Sequence, residues 1–102
     1  MSAYLIVSIS VTDPERFALY RAAAPDVIAA YGGRYLVRGG EVETLEGAYD
    51  GRRIVILEFP STDALHAFWN SPDYARVKTM RAGAAEFDVL AIQGVKGTGN
   101  QI

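Results

Sequence analysis

One acidic and two basic side chains fall on neighbouring predicted strands, at spacings that would bring them together. In the stretch YGGRYLVRGG, Arg34 and Arg38 are four residues apart, so on a regular strand both point to the same side. In RRIVILEF, Glu58 shares one side with Ile56. If these two sides coincide, a carboxylate lies among guanidinium groups on an otherwise apolar face, where a buried charge needs a partner.

Two interpretations of this charged group are open. It is either the polar floor of a ligand site or a structural ion pair across the hairpin or across a dimer interface. As a site it would suit a carboxylate, carbonyl or phenolate oxygen, because arginine offers bidentate recognition of such groups. In both cases we expect Arg34, Arg38 and Glu58 to act as one electrostatic unit, so that loss of Glu58 alone destabilises the protein more than loss of the whole group.

Six further side chains are candidates for ligand binding: Arg21, Arg81, Trp69, Tyr74, Tyr31 and His66. Each has an ordinary structural alternative. The arginines near apolar helix stripes can lie along the surface with their charged ends in water. The aromatic residues can pack in a core or an interface. The single histidine titrates near neutrality but lies off the apolar stripe of its predicted helix, so we expect it to be exposed.

The composition excludes several kinds of function. The 102 residues contain no cysteine, which removes disulfides, thiolate metal sites and thiol catalysis. The ten basic and twelve acidic residues form no block of like charge, so nucleic acid is not an expected partner. No phosphate loop, nucleophile motif or metal motif is present. We therefore predict no cofactor and no metal site, and we assign no catalytic residue.

The N-terminal stretch MSAYLIVSISV lacks the basic start and the small-residue cleavage site of a signal peptide. No apolar run approaches the length that a membrane span requires. The expectation is therefore a cytoplasmic protein that has no membrane partner.

The elements that would position these residues follow from hydrophobic periodicity and capping signals. AYLIVSISV predicts a first strand, TDPE predicts the start of a helix that continues through Pro25 to Gly32-Gly33, and RRIVILEF predicts a third strand. The second strand is expected to begin at Arg34, to bend at Gly39-Gly40 and to resume through EVETLEG. Ser61 and Ser71 each predict a helix start, and FDVLAIQGV predicts a last strand.

The predicted fold class is α+β, with the ferredoxin-like order βαββαβ, a four-stranded antiparallel sheet and the helices on one face. We expect one domain over residues 1–95 and a flexible tail over residues 96–102. The other sheet face would carry Ile6, Leu36, Ile54, Ile56 and, depending on register, Leu90 and Ile92. A second copy of the same face would cover this apolar surface, which predicts a homodimer.

The chain resembles the bacterial proteins of the domain of unknown function 1330 family, within the dimeric α+β barrel superfamily. The resemblance runs from Tyr4 to Val95 and is carried by VTDPERFALYR, AAPDVIAAYGGRYLVRGGEVETLEG, RRIVILEFPS and FWNSPDYARVK. It implies a ferredoxin-like protomer in a dimer whose two sheets face each other around a cavity. It implies no reaction, because the superfamily includes monooxygenases, isomerases and haem-handling proteins as well as binding modules.

Three functional hypotheses follow. The first is a small homodimer that binds a small organic molecule in a cavity at the sheet face of the dimer. The second is a cofactor-independent oxygenase- or isomerase-type enzyme that uses Glu58, His66 or a tyrosine for proton transfer. The third is a purely structural or interaction dimer whose cavity is filled by its own side chains. Neither the ligand nor any reaction can be named from the sequence.

Overall fold

A computed structural model describes residues 1–95, and the predicted flexible tail lies outside these residues. The chain forms β1 (Ala3–Val11), α1 (Pro14–Ala30), β2 (Arg34–Arg38), β3 (Arg53–Phe59), α2 (Thr62–Trp69), α3 (Pro72–Lys78), a 3-10 turn (Thr79–Arg81) and β4 (Ala85–Gln93). The sheet order is β2-β3-β1-β4 with antiparallel neighbours throughout. The predicted ferredoxin-like α+β fold is confirmed. No helix within residues 1–95 is long and apolar enough to cross a membrane.

Side-chain caps fix where the helices begin. The Asp13 carboxylate accepts a hydrogen bond from the Arg16 backbone N–H (3.2 Å), and α1 then continues through Pro25 as one helix. Ser61 caps α2, and Ser71 caps α3 by accepting from the Tyr74 backbone N–H (3.0 Å). Because a residue that precedes proline disfavours helical angles, Ser71 is extended, and it separates the second helical region into α2 and α3.

The core lies in a single layer between the sheet and the helices. Alternate residues of β1 and β3 are buried on this side, as the period of two predicts. The helices contribute Phe17, Ala24, Ile28, Leu65, Phe68, Tyr74 and Val77. Phe59 and Phe68 are the largest side chains that are fully buried, and their ring centroids are 5.1 Å apart. This layer packs the helices against one face of the sheet.

The opposite sheet face carries an apolar row that no helix covers. In the register, Ile6 of β1 lies between Ile56 of β3 and Leu90 of β4, and Ile92 follows on the same face. Leu90 is 62% exposed and Ile92 is 49% exposed. The predicted open apolar face is therefore present, and it is the surface that a partner would have to cover.

The prediction that the second strand resumes after its glycines is wrong. Residues 40–51 contain no strand, and all of them are exposed. Gly39 has φ +71°, which turns the chain out of the sheet, and β3 begins only at Arg53. The alternation in EVETLEG therefore has no neighbouring strand to pair with. Leu45, in the middle of this loop, is 87% exposed.

Candidate functional site

A β-bulge in β2 separates the two arginines that the sequence placed on one face. Arg34 pairs with Glu58 and Tyr35 pairs with Leu57, but Val37 pairs with Ile56 because the register shifts by one residue in between. A one-residue shift moves every following side chain to the other face. Arg38 therefore lies on the helix side of the sheet, opposite Val55. The predicted unit of Arg34, Arg38 and Glu58 does not form.

Arg34 and Glu58 form an ion pair on the open face of the sheet. The Arg34 Nε donates to Glu58 Oε1 at 2.7 Å, and the Tyr4 hydroxyl donates to Oε2 at 3.3 Å. The Glu58 side chain is 18% exposed, whereas that of Arg34 is 72% exposed. The hydrogen bond from Arg34, together with one from Ser2, lowers the pKa of the Glu58 carboxyl. The carboxylate is therefore ionised and satisfied, which is the structural alternative that the sequence left open.

A cavity of about 50 Å³ lies on the other side of the sheet, between the sheet and the helices. Its floor is aliphatic, from Leu5 and Val7 of β1, Val55 and Leu57 of β3, and Val89 of β4. Aromatic rings of the helix layer and of β4 close it from the other directions: Phe17, Tyr20, Phe68, Trp69, Tyr74 and Phe87. Of the predicted ligand-binding residues, Arg21, Arg38, Trp69 and Tyr74 line this cavity.

Three arginines from three different elements line the same cavity. Arg21 comes from α1, Arg38 from β2 and Arg53 from β3. Arg38 Nη2 donates to the carbonyl oxygen of Arg21 at 2.8 Å, and its guanidinium lies 4.5 Å from the centroid of the Tyr35 ring. Burial, followed by the positive charges of Arg21 and Arg38, lowers the pKa of Arg53. We call these three residues the arginine cluster.

Phenolic hydroxyls supply the remaining polar groups of the cavity. The Tyr20 and Tyr74 hydroxyls are 2.8 Å apart and share a hydrogen bond. Burial raises the pKa of Tyr20, and the adjacent Tyr74 raises it further. Burial also raises the pKa of Tyr35. At neutral pH the Tyr20 and Tyr35 hydroxyls are therefore neutral and serve as hydrogen-bond donors and acceptors.

Arg81 is buried but lies beside the cavity rather than in it. Its guanidinium stacks 3.8 Å from the centroid of Phe87 and 5.9 Å from that of Tyr20, and it borders an open surface groove. The side chain is 9% exposed, and its Nη1 has no hydrogen-bond partner within residues 1–95. Arg81 is therefore buried against two aromatic rings. The sequence had left open a different position, along the surface with the charged end in water.

His66 and Tyr31 lie away from the cavity. His66 is exposed on α2, next to a shallow groove at the edge of the sheet that also contacts Ile92 and Gln93. Tyr31 is half-buried and packs edge-on against Phe68, with ring centroids 6.3 Å apart. Neither residue lies near Arg34 and Glu58. The nine predicted ligand-binding residues therefore do not form one site. No group of three or more metal-ligating side chains occurs in the part of the chain that the structure describes.

Sequence reasoning missed three residues of the cavity, Arg53, Tyr20 and Tyr35. Arg53 lies on the Val55 side of β3, so the alternation that placed Glu58 on the open face already placed Arg53 on the helix face. Tyr20 lies at helical spacing from Phe17 and Ala24, which indicates a position in the core. Tyr35 precedes the bulge, so the alternation that puts Arg34 on the open face also puts Tyr35 on the helix face, opposite Leu57.

The sequence of the chain matches a single protein family over nearly its whole length. The model of the domain of unknown function DUF1330 matches residues 2–95. The chain belongs to the DUF1330 family. The resemblance seen in the sequence is thereby confirmed. No curated protein matches the sequence.

Solved structures share the fold at low sequence identity. A protein of unknown function from Rhodopseudomonas palustris, RPA0582, has a TM-score of 0.72 and 20% identity, covering 94% of this chain and 84% of that one. A dimeric ferredoxin-like protein of unknown function from Jannaschia sp. CCS1 has a TM-score of 0.63 and 14% identity, with coverages of 92% and 100%. SnoaB, a cofactor-independent oxygenase from Streptomyces nogalater, has a TM-score of 0.60 and 14% identity, with coverages of 94% and 95%. At these identities the similarity shows the fold alone.

Proposed function

We propose that this DUF1330 protein is a homodimeric binding protein that takes a small organic molecule into the cavity between the sheet and the helices of each protomer. The observation that carries the proposal is the cavity itself, an apolar space into which three tyrosines and three arginines project. Ligand sites are typically apolar clefts with a few polar groups that fix orientation. This places the ligand on the opposite side of the sheet from the dimer-face cavity that the sequence suggested.

The open sheet face is better suited to a partner protomer than to a ligand. Its centre is a row of isoleucine and leucine side chains, and two ion pairs on this face, Arg34 with Glu58 and Arg52 with Asp88, are already formed within the protomer. Contiguous exposed apolar surface of this kind commonly marks an interface. Structural relatives described as dimeric ferredoxin-like proteins support the same assembly. A cytoplasmic location remains a prediction.

The geometry supports binding more than the oxygenase or isomerase alternative. Of the three proton-transfer groups considered, Glu58 lies on the open face and His66 lies on the surface of α2. The raised pKa values of Tyr20 and Tyr35 make these hydroxyls poor bases at neutral pH. Across residues 1–95 the cavity is lined by no carboxylate and no imidazole. The likeness to SnoaB keeps the alternative open to experiment.

The test is to fill the cavity and ask whether a bound molecule is lost. Mass spectrometry of the purified protein under native and denaturing conditions would detect and identify a small molecule that leaves on unfolding. Val89→Phe adds a ring at the cavity wall, while Val42→Phe makes the same change in the exposed loop. We expect the molecule with wild type and Val42→Phe, and its loss with Val89→Phe.

Three other results would contradict the proposal. Equal occupancy in both variants would mean that the molecule binds elsewhere. Absence of any molecule from wild type would favour the structural dimer, whose cavity is filled by its own side chains. A released molecule that is chemically altered when it is incubated with the protein in air would favour the oxygenase-type enzyme.

A further inference from the structure

We infer that the ligand of the cavity is an organic anion, a short-chain carboxylate or a closely similar oxyanion, whose charged end is bound by Arg21, Arg38 and Arg53. This inference rests on the proposed function and adds the chemical class of the ligand. The arginine cluster would hold the charged end, and the aliphatic floor of the cavity would hold the other end.

The positive charge of the arginine cluster favours an anionic ligand. None of the three guanidinium groups of the arginine cluster forms an ion pair with a carboxylate of residues 1–95. The neighbouring Arg52 shows the contrast, because it pairs with both Asp50 and Asp88. Arginine remains charged under all ordinary conditions, so the three positive charges repel one another, and because Arg21 and Arg38 are exposed, water screens part of this repulsion. An anion placed among them removes this repulsion.

Contacts within the protein hold the arginine cluster in position. Arg38 is held by the Arg21 carbonyl oxygen and by the face of Tyr35. Arg53 Nη2 lies 3.5 Å from the Arg38 carbonyl oxygen, and its guanidinium lies against the bare backbone of Gly39. A Cβ atom at Gly39 would overlap Arg53 Cζ. The absence of a side chain at Gly39 therefore allows the Arg53 guanidinium to lie against the backbone beside Arg38.

The apolar part of the cavity is small. Its volume of about 50 Å³ leaves room for a short chain rather than a long one. The floor is formed by valine and leucine side chains. A short branched aliphatic tail matches this space and this surface. A small apolar floor next to the arginine cluster therefore favours a short aliphatic carboxylate as the ligand.

Isobutyrate and isobutyramide are suitable probes, because the two have nearly the same shape and differ in charge. Titration of each into the wild-type protein, followed by NMR of the backbone amides, gives both affinity and location. We expect isobutyrate to bind at least tenfold more tightly than isobutyramide, with shifts at residues around the cavity. Acetate, which lacks the branched tail, should bind more weakly than isobutyrate.

Matched arginine variants locate the charge. Arg38→Gln and Arg53→Gln each remove one charge of the arginine cluster, and Arg34→Gln removes one from the opposite face. We expect about a tenfold loss of isobutyrate affinity for the first two variants, consistent with loss of one charge-assisted hydrogen bond, and less than a twofold change for Arg34→Gln. The amide spectrum of each variant shows directly whether it is folded, and two cluster variants guard against one failing to fold.

Several outcomes would overturn the inference. These are equal affinity for the charged and neutral probes, equal effects of Arg53→Gln and Arg34→Gln, and no binding of either probe to wild type. None of them decides the proposed function, which depends on the separate comparison of Val89→Phe with Val42→Phe. A neutral molecule that is displaced by Val89→Phe would uphold the binding function and refute the anionic ligand.

Discussion

Gly39 is the residue whose replacement should most directly disturb the arginine cluster. Its φ of +71° is a conformation that other residues adopt at a cost of about 1 to 2 kcal/mol, and a Cβ there would collide with the Arg53 guanidinium. We expect Gly39→Ala to lower stability by about this amount and to weaken isobutyrate binding. Thermal unfolding and the NMR titration measure the two effects separately.

Gly40→Ala is the matched control for Gly39→Ala. A Cβ atom at Gly40 would meet no heavy atom within 4 Å, and the residue has no positive φ. We therefore expect Gly40→Ala to leave both stability and binding nearly unchanged. Equal effects of the two substitutions would show that the loop as a whole matters, rather than the approach of Arg53 to the Gly39 backbone.

The ion pair of Arg34 with Glu58 should show energetic coupling that Arg38 does not share. A double-mutant cycle of Arg34→Gln and Glu58→Gln is expected to be non-additive, because the two side chains are in direct contact. The cycle of Arg38→Gln and Glu58→Gln is expected to be additive, because the bulge puts these side chains on opposite faces. Chemical denaturation of each set gives the comparison. Coupling between Arg38 and Glu58 would contradict the observed register.

The same ion pair predicts a dependence on pH. The pKa of Glu58 is lowered from its ordinary value of 4.5, so the folded state releases this proton more readily than the unfolded state does. The stabilisation is therefore complete above about pH 4.5 and is lost as the pH falls through the folded pKa. The difference in stability between wild type and Glu58→Gln should shrink over that acidic range. A constant difference would mean that the carboxylate charge contributes nothing.

At the scale of elements, alternation predicted β1 and β3 correctly because both strands are regular and have one buried face. The buried and open sides of Leu5, Ile6, Val55 and Ile56 follow from the period of two alone. The helix starts could also be predicted from the sequence, because the side chains of Asp13, Ser61 and Ser71 cap the helices by accepting backbone hydrogen bonds. Such local signals do not depend on what lies across the sheet.

The register of β2 could not be predicted in the same way. The candidate site therefore differs from the one that the sequence suggested. The glycine pair did suggest an irregularity, but the register shift lies earlier, between Tyr35 and Val37. Nothing in the types of these residues distinguishes a bulge from a regular strand, since either one satisfies local propensity. That single extra residue moves Arg38 from the open face to the cavity. Alternation alone puts Arg53 on the helix face, but its meeting with Arg38 there became visible only in three dimensions.

At the scale of the whole molecule, one sheet face is covered by helices and the other is not. The helix-covered side encloses the proposed ligand cavity, and the open side carries the apolar row. The two proposals therefore concern different sides of the same sheet, and each can fail without the other. β1 and β3 contribute side chains to both sides.

The last prediction concerns the dimer. Ile56 lies within the open face, paired with Ile6 on one side and Val37 on the other. In a homodimer, Ile56→Glu would bury a charge without a partner, so we expect dissociation to a species near the protomer mass of 11.1 kDa. Leu19→Glu makes a similar change on α1, at a side chain that is 64% exposed, and should leave the dimer intact. Sedimentation velocity at micromolar concentration measures the mass, and circular dichroism checks folding. A well-folded wild-type monomer would refute the proposed dimer, because the apolar row would then be stable in water without a protein cover.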